Sequence, residues 1–284
     1  MKAPHRITPA LLRHHPLPAL NLDSSKEDHG RLLVVAGSPE TPGAALLAAE
    51  AALRVGAGKV AAAVPGALTA ALGLARPELW VGGFRKAPSV ALFEGRDAWL
   101  IGPGMNAAEA TRWTAASFRQ RSEAVTVLDA SALNGLWKHP ALPRGRLVIT
   151  PHHGEMAALS GTPVEQIRKD PAKIARMAAQ HLGAIVVLKG ATTYIATPSG
   201  QTFEHIGDLP GLGVSGSGDV LAGIAAGLAA QEMELLSACL WAVTLHAQAG
   251  EQLQQSMGPT GYLAAELPGC LPGLLRRHRK CRPR

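Results

Sequence analysis

The chain has no apolar run approaching the roughly 20 residues that a helical membrane span needs, which excludes that class. Aromatic residues are only 4% of the total, so the core must be built from small and branched aliphatic side chains packed closely on one another. Charged residues are scarce too, 17% against 47% apolar, and bulk disorder is excluded. The three cysteines, Cys239, Cys270 and Cys281, lie far apart, which fits neither a metal site nor a disulfide framework. Cys239 falls in a helical pattern and is expected in the core; a reducing cytoplasm is the simplest compartment. The first 22 residues carry positive charge but no continuous apolar segment followed by a small-residue cleavage site, so residues 1–25 read as an arm, not a secretory leader. Acidic residues are outnumbered, leaving a net charge of +7. Part of that charge lies in residues 276–284. A basic run can touch nucleic acid, but a terminal one is commonly a solvated, flexible tail, and no nucleic-acid or membrane partner is expected. The remaining positive charge suits an anionic substrate.

What is present is an alternation of strand-like and helix-like segments without repeats or linkers, as expected of one domain over residues 1–284. Strands are expected at 31–36, 59–64, 98–101, 124–128, 147–150 and 185–188, with a hairpin at 193–196 and 201–205 around Pro198-Ser199-Gly200. Helices are expected at 44–55, 220–230 and 235–250. The strand segments are short apolar runs that do not alternate, which implies burial on both faces. Strand, loop and helix in repeated order imply a three-layer α/β/α sandwich with a mostly parallel central sheet. In such sheets ligands bind beyond the carboxyl ends of the strands. Gly102-Pro103-Gly104, Asp129, His152 and Lys189-Gly190 each follow an expected strand.

The sharpest local pattern is residues 211–223, where small residues crowd together and open into an Ala-rich helix. A helix N-terminus presents unpaired N–H groups and partial positive charge. Glycine lets a phosphate approach the backbone, so Gly216, Ser217 and Gly218 suit an anion hole. Asp219 then lies in the first turn, where a carboxylate could orient and deprotonate a hydroxyl attacking phosphorus. The alternative is that Asp219 caps the helix. No Walker-type loop is present, because residues 37–43 are not followed by Lys-Ser or Lys-Thr.

Several segments in order resemble one family. They are residues 34–38 with 42–45, 54–60, Gly102-Pro103-Gly104, 128–134, 150–156, 187–193, 216–223 and 246–250. Together, over about residues 32–275, they resemble the ADP- or ATP-dependent NAD(P)H-hydrate dehydratases, a branch of the ribokinase-like fold. The resemblance implies a two-stage reaction. NADH hydrate or NADPH hydrate is phosphorylated on its hydroxyl by the nucleotide, and loss of phosphate restores the reduced cofactor. It also implies a magnesium requirement (Mg2+), a homo-oligomer, and a separate epimerase for the other hydrate epimer, since the length leaves no room for a fused one.

By position, the resemblance assigns Asp219 as catalytic and substrate-contacting, and Ala44, Gly104 and His152 to the hydrate pocket. Lys189, Gly190, Ala191, Thr192, Thr193 and Gly218 match the part that holds ADP or ATP, and Glu155 matches an acid that organises magnesium through water. Lys189 could instead be a surface lysine at a strand end, and His152 a histidine satisfied by local backbone.

The chain departs from the family pattern at His153, where proline is usual, and at Ser131, where a second aspartate is usual. It also departs at Asp208 and Val214, where asparagine and threonine are usual. These departures keep two other readings open: a small-molecule alcohol kinase of thiazole or pyrimidine type, and a nucleotide-binding protein without catalysis.

Overall fold

The structure is a computed structural model that describes residues 3–19, 29–84, 88–120 and 122–280. Ten strands form one sheet. In chain order they are β1 (His5–Arg6), β2 (Arg31–Val35), β3 (Lys59–Pro65), β4 (Trp80–Phe84), β5 (Ala98–Ile101), β6 (Val125–Leu128), β7 (Leu147–Ile149), β8 (Ile185–Leu188), β9 (Thr192–Ala196) and β10 (Thr202–Ile206). Their spatial order is β1-β10-β9-β8-β7-β6-β5-β2-β3-β4. Only β9 runs against its neighbours; every other pairing is parallel.

The helices are α1 (Pro9–Arg13), α2 (Gly43–Arg54), α3 (Thr69–Ala75), α4 (Ala107–Phe118), α5 (His153–Ser160), α6 (Val164–Lys169), α7 (Pro171–Leu182), α8 (Ser217–Ala230), α9 (Leu235–Met257) and α10 (Leu267–Lys280). They cover both faces. In β2, Leu32 and Val34 enter the core shared with α2, α8, α9 and α10, while Leu33 and Val35 enter the core shared with α4 and α7. A strand that must satisfy two apolar layers cannot alternate, which is why the apolar runs marked strands.

One contact docks α8 on α2. A Cβ on Gly223 of α8 would lie 2.2 Å from the Ala48 carbonyl oxygen, and one on Gly227 would lie 2.8 Å from Ala52 Cα. The two glycines face two alanines of α2, so the helix backbones touch directly.

The structure corrects three expectations. Residues 276–280 belong to α10 and not to a loose tail; His278 Nε2 lies 2.8 Å from Gln248 Oε1, and its ring packs edge-on against Trp241. Residues 281–284 lie outside the described residues. The N-terminal arm is structured between residues 5 and 13: it adds β1 to the sheet edge and begins α1 with a Thr8 side-chain cap. Helix α8 starts at Ser217, three residues earlier than the apolar pattern implied. β4 carried no strand signal, because its two adjacent glycines and exposed Trp80 suit only a sheet edge. No helix among the described residues is long and apolar enough to cross a membrane.

Candidate active site

Three parallel strands and one helix deliver charged groups to one place. Strand β6 ends at Asp129, β7 leads through Thr150 and Pro151 to His152, β8 ends at Lys189, and α8 brings Asp219 in its first turn. Asp129 is buried, 2% exposed, and its Oδ1 accepts hydrogen bonds from Thr150 Oγ1 at 2.7 Å and Lys189 Nζ at 2.8 Å. Lys189 Nζ also lies 3.8 Å from Glu155 Oε2. A Cβ on Gly218 would meet Lys189 Nζ at 3.2 Å, so the ammonium group lies against the start of α8. Lys189 is therefore not a surface lysine. Burial alone would lower its pKa, but Asp129, Glu155 and Asp219 together raise it, and it stays charged.

Asp219 carries the opposite perturbation. Burial, then the charge of Asp129, push its carboxyl up to about 7 against the pull of Lys189. Its role is not that of a helix cap. The N-cap position is Gly216, left-handed at φ +91°, and no side chain caps α8. A Cβ at Gly216 would lie 2.5 Å from Leu47 Cδ1 of α2, and the left-handed φ favours glycine there. The first turn of α8 thus presents its backbone without a side-chain acceptor.

Other assigned residues fall into two groups. His152 caps α5: its Nδ1 accepts from the backbone N–H of Gly154 at 2.9 Å and of Glu155 at 3.1 Å. Glu155 Oε2 returns the bond by accepting from His152 N at 2.8 Å. The other ring nitrogen, Nε2, lies 3.5 Å from Glu155 Oε1 and is the histidine atom that can meet a ligand. His152 pairs by an isolated bridge with Lys189, which joins this loop to the Lys189–Thr193 stretch. Ala44 and Gly104 form the second group. A Cβ on Gly104, at φ +63°, would lie 2.6 Å from Ala44 Cβ and 2.8 Å from Thr41 O. Thr41 Oγ1 donates to Gly104 O at 2.7 Å. Small residues are required here for the β2 and β5 loops to meet.

Two of the departures also acquire places. Asp208 is exposed, so its charge faces water. His153 sets its ring against Gly190, where a Cβ would be 3.2 Å from Nε2. That nitrogen is buried without a hydrogen-bond partner, and burial, then Arg168 and His152, lower the ring's pKa. Among the described residues no group of three or more His, Cys, Asp or Glu could hold a metal.

Comparison with known proteins agrees with this geometry. A family profile described as NAD(P)H-hydrate dehydratase matches residues 32–272. An ADP-dependent (S)-NAD(P)H-hydrate dehydratase of Xanthomonas campestris is 42% identical over 95% of this chain and 96% of its own length. The chain belongs to the NAD(P)H-hydrate dehydratase family. A bifunctional NAD(P)H-hydrate repair enzyme of Moorella thermoacetica is 37% identical over 92% of the chain, which spans 52% of that relative's length. The crystal structure of the Bacillus subtilis ADP/ATP-dependent enzyme, co-crystallised with ATP and Mg2+, superposes with a TM-score of 0.86 at 30% identity, covering 98% of this chain and 99% of that one. The fold is ribokinase-like.

One residue of this family member had no assigned role in the sequence. His246 of α9 is buried, and its Nε2 lies 2.9 Å from Ser217 Oγ and 3.0 Å from Ser217 O. Burial pushes its pKa down to about 4, so it is a neutral ring. It fastens the first residue of α8 from behind. The motif 246–250 marked the position as part of the resemblance, but nothing local to a helix interior reveals a partner on another helix.

Proposed function

We propose that this chain is a nucleotide-dependent NAD(P)H-hydrate dehydratase, a carbon–oxygen lyase that repairs hydrated NADH and NADPH, with Asp219 as the catalytic base. The observation that carries the reading is Asp219 itself: a buried carboxyl raised to about 7, in the uncapped first turn of α8, beside Lys189. A base with a pKa near the working pH both loses its proton readily and takes one effectively. Asp219 takes the proton of the hydrate hydroxyl as that oxygen attacks the terminal phosphorus of the nucleotide. The amides at Gly216, Ser217 and Gly218, of which that of Ser217 also donates to Val214 O at 3.2 Å, and the Lys189 ammonium group bear the charge on the phosphoryl oxygens. The carbon–oxygen bond then breaks, phosphate leaves, a ring proton is lost, and the reduced nicotinamide returns.

In this reading Lys189, Gly190, Ala191, Thr192 and Thr193 hold the nucleotide, while Ala44, Gly104 and His152 line the hydrate pocket. ADP is the proposed donor, after the curated relatives, which are named ADP-dependent. Magnesium, when it arrives on the nucleotide, neutralises phosphate charge. The residues fit that manner of binding: Asp129 is already committed to Lys189 and Thr150, and Glu155, whose Oε2 accepts from His152 N, has Oε1 to accept from a metal-bound water. A separate epimerase is the proposed functional partner, because relatives are named for the S hydrate. The chain acts as one ribokinase-like domain in a homo-oligomer. The likeness to a hydroxyethylthiazole kinase of Pyrococcus horikoshii, at 16% identity and a TM-score of 0.61, is one of fold alone.

The test is recovery of the near-ultraviolet absorbance of reduced nicotinamide from NADPH hydrate, with magnesium and ADP or ATP in parallel. Recovery that depends on nucleotide and is lost in Asp219→Asn is the expected result. Nucleotide binding without recovery, or accumulation of a phosphorylated hydrate, would overturn it.

A further inference from the structure

A cavity lies away from Asp219. It has a volume of about 710 Å³ and is lined by residues 7–19 of the arm, β10, one face of α9 and the end of α10. That volume is typical of pockets for small organic ligands. The arm is a fixed roof. β1 pairs with β10, Trp241 Nε1–H donates to His15 O at 2.5 Å, and His15 Nδ1 lies 2.8 Å from Ser237 Oγ.

The lining has a definite chemistry. Ile7, Leu12 and Leu17 supply apolar surface, and Trp241, its N–H already spent on His15, has only its ring to offer. Arg13 and Arg279 both line the cavity, against one carboxylate, Glu251. Arg279 Nε is buried and has no hydrogen-bond partner among the described residues. A buried guanidinium nitrogen without an acceptor is costly, and an anion is what relieves it. Burial also lowers the pKa of Arg279 from its usual value.

We propose that this cavity is a second ligand-binding site, for a small organic anion with a flat apolar body. It is separate from the nucleotide site. None of Asp219, Gly218, Lys189 and His152 lines it. The lining residues of α9, Trp241, Thr244, Gln248 and Glu251, recur every three or four positions and share one helix face, whereas His246, which holds Ser217, lies on another.

Calorimetric titration of the full chain with naphthyl phosphate, and with uncharged naphthol as control, tests the proposal. One-to-one binding of naphthyl phosphate, undiminished by saturating ADP and stronger than that of naphthol, is expected. The double variant Arg13→Gln, Arg279→Gln should weaken it roughly tenfold or more, the loss of a charge-assisted hydrogen bond, with circular dichroism and dehydratase turnover unchanged. Absence of saturable binding, displacement by ADP, or full-strength binding by a folded double variant would each overturn it.

Discussion

Asp219 is held between burial and Asp129, which raise its pKa, and Lys189, which lowers it. With a pKa of about 7 in the free enzyme, the base is half in its working form at neutrality. kcat/KM should therefore climb with pH through about 7 and level off above, read from initial rates at subsaturating hydrate. The same carboxyl affects stability with a definite sign. Its folded pKa lies above the unfolded value of roughly 4. Between that value and about 7 the folded state keeps a proton that the unfolded state has lost, so this carboxyl's contribution falls as pH rises and is fully unfavourable above 7. Asp219→Asn should thus be more stable than the parent at pH 8, by up to about 4 kcal/mol, and show no advantage near pH 4 in thermal melts. Equal melting at both values would mean that burial does not perturb the group. Lys189 has the converse role. Lys189→Met leaves Asp129 buried with only Thr150 as donor, and urea denaturation at neutral pH should show a loss of roughly 3–5 kcal/mol.

Among the elements, the legible ones were those whose side chains alone decide their fate. β5 and β8 span the residues expected, because a short apolar run bounded by Asp97 and Gly102, or by Gly183 and Lys189, fits a strand buried on both faces. The end of β8 marked Lys189, and that of β5 marked Gly104, as site residues from the sequence alone. In helix α8 the small-residue run placed Asp219 in the first turn, as found, while the apolar stretch began only at residue 220, because Ser217-Gly218-Asp219 has poor helix propensity and is helical through its docking on α2 and its tie to His246. β4 and the arm strand β1 depend on neighbours for their pairing and carried no signal of their own. The docking of α8 makes a sharp prediction. Gly223→Ala puts a methyl group 2.2 Å from the Ala48 carbonyl, and α8 must move away from α2. A thermal melt should show a destabilisation of about 2 kcal/mol, and turnover per folded chain should fall because the turn proposed to bind the anion moves with the helix. Gly273→Ala on α10, where a Cβ meets nothing within 4 Å, should be neutral or stabilising. Equal behaviour of the two variants would show that the α2–α8 contact is loose.

At the scale of the molecule, the sheet has two edges that are closed differently. β4, at one end, carries paired glycines and turns Trp80 outward. At the other end β10 would offer a five-residue edge of unpaired backbone, and the arm covers part of it: β1 pairs with Phe203 and Glu204, and Ile7 N donates to Glu204 O at 2.9 Å. The His5 ring packs 5.7 Å from that of Phe203. The arm seemed from composition to be an appendage, because two residues of strand and five of helix are too short for any periodicity to register. Its value lies in what it covers. An open strand edge templates pairing with other chains. Removing residues 1–8 uncovers β10 and deletes the Thr8 cap of α1, so the truncated protein should melt lower than the full chain and scatter more light as its concentration rises. The active-site groups on β6, β7 and β8 lie inside the sheet, and turnover by the fraction that stays dispersed should match the full chain. A truncated protein that matched the full chain in melting and in light scattering would mean that β10 protects its own edge and that the arm serves only as the wall of the second cavity.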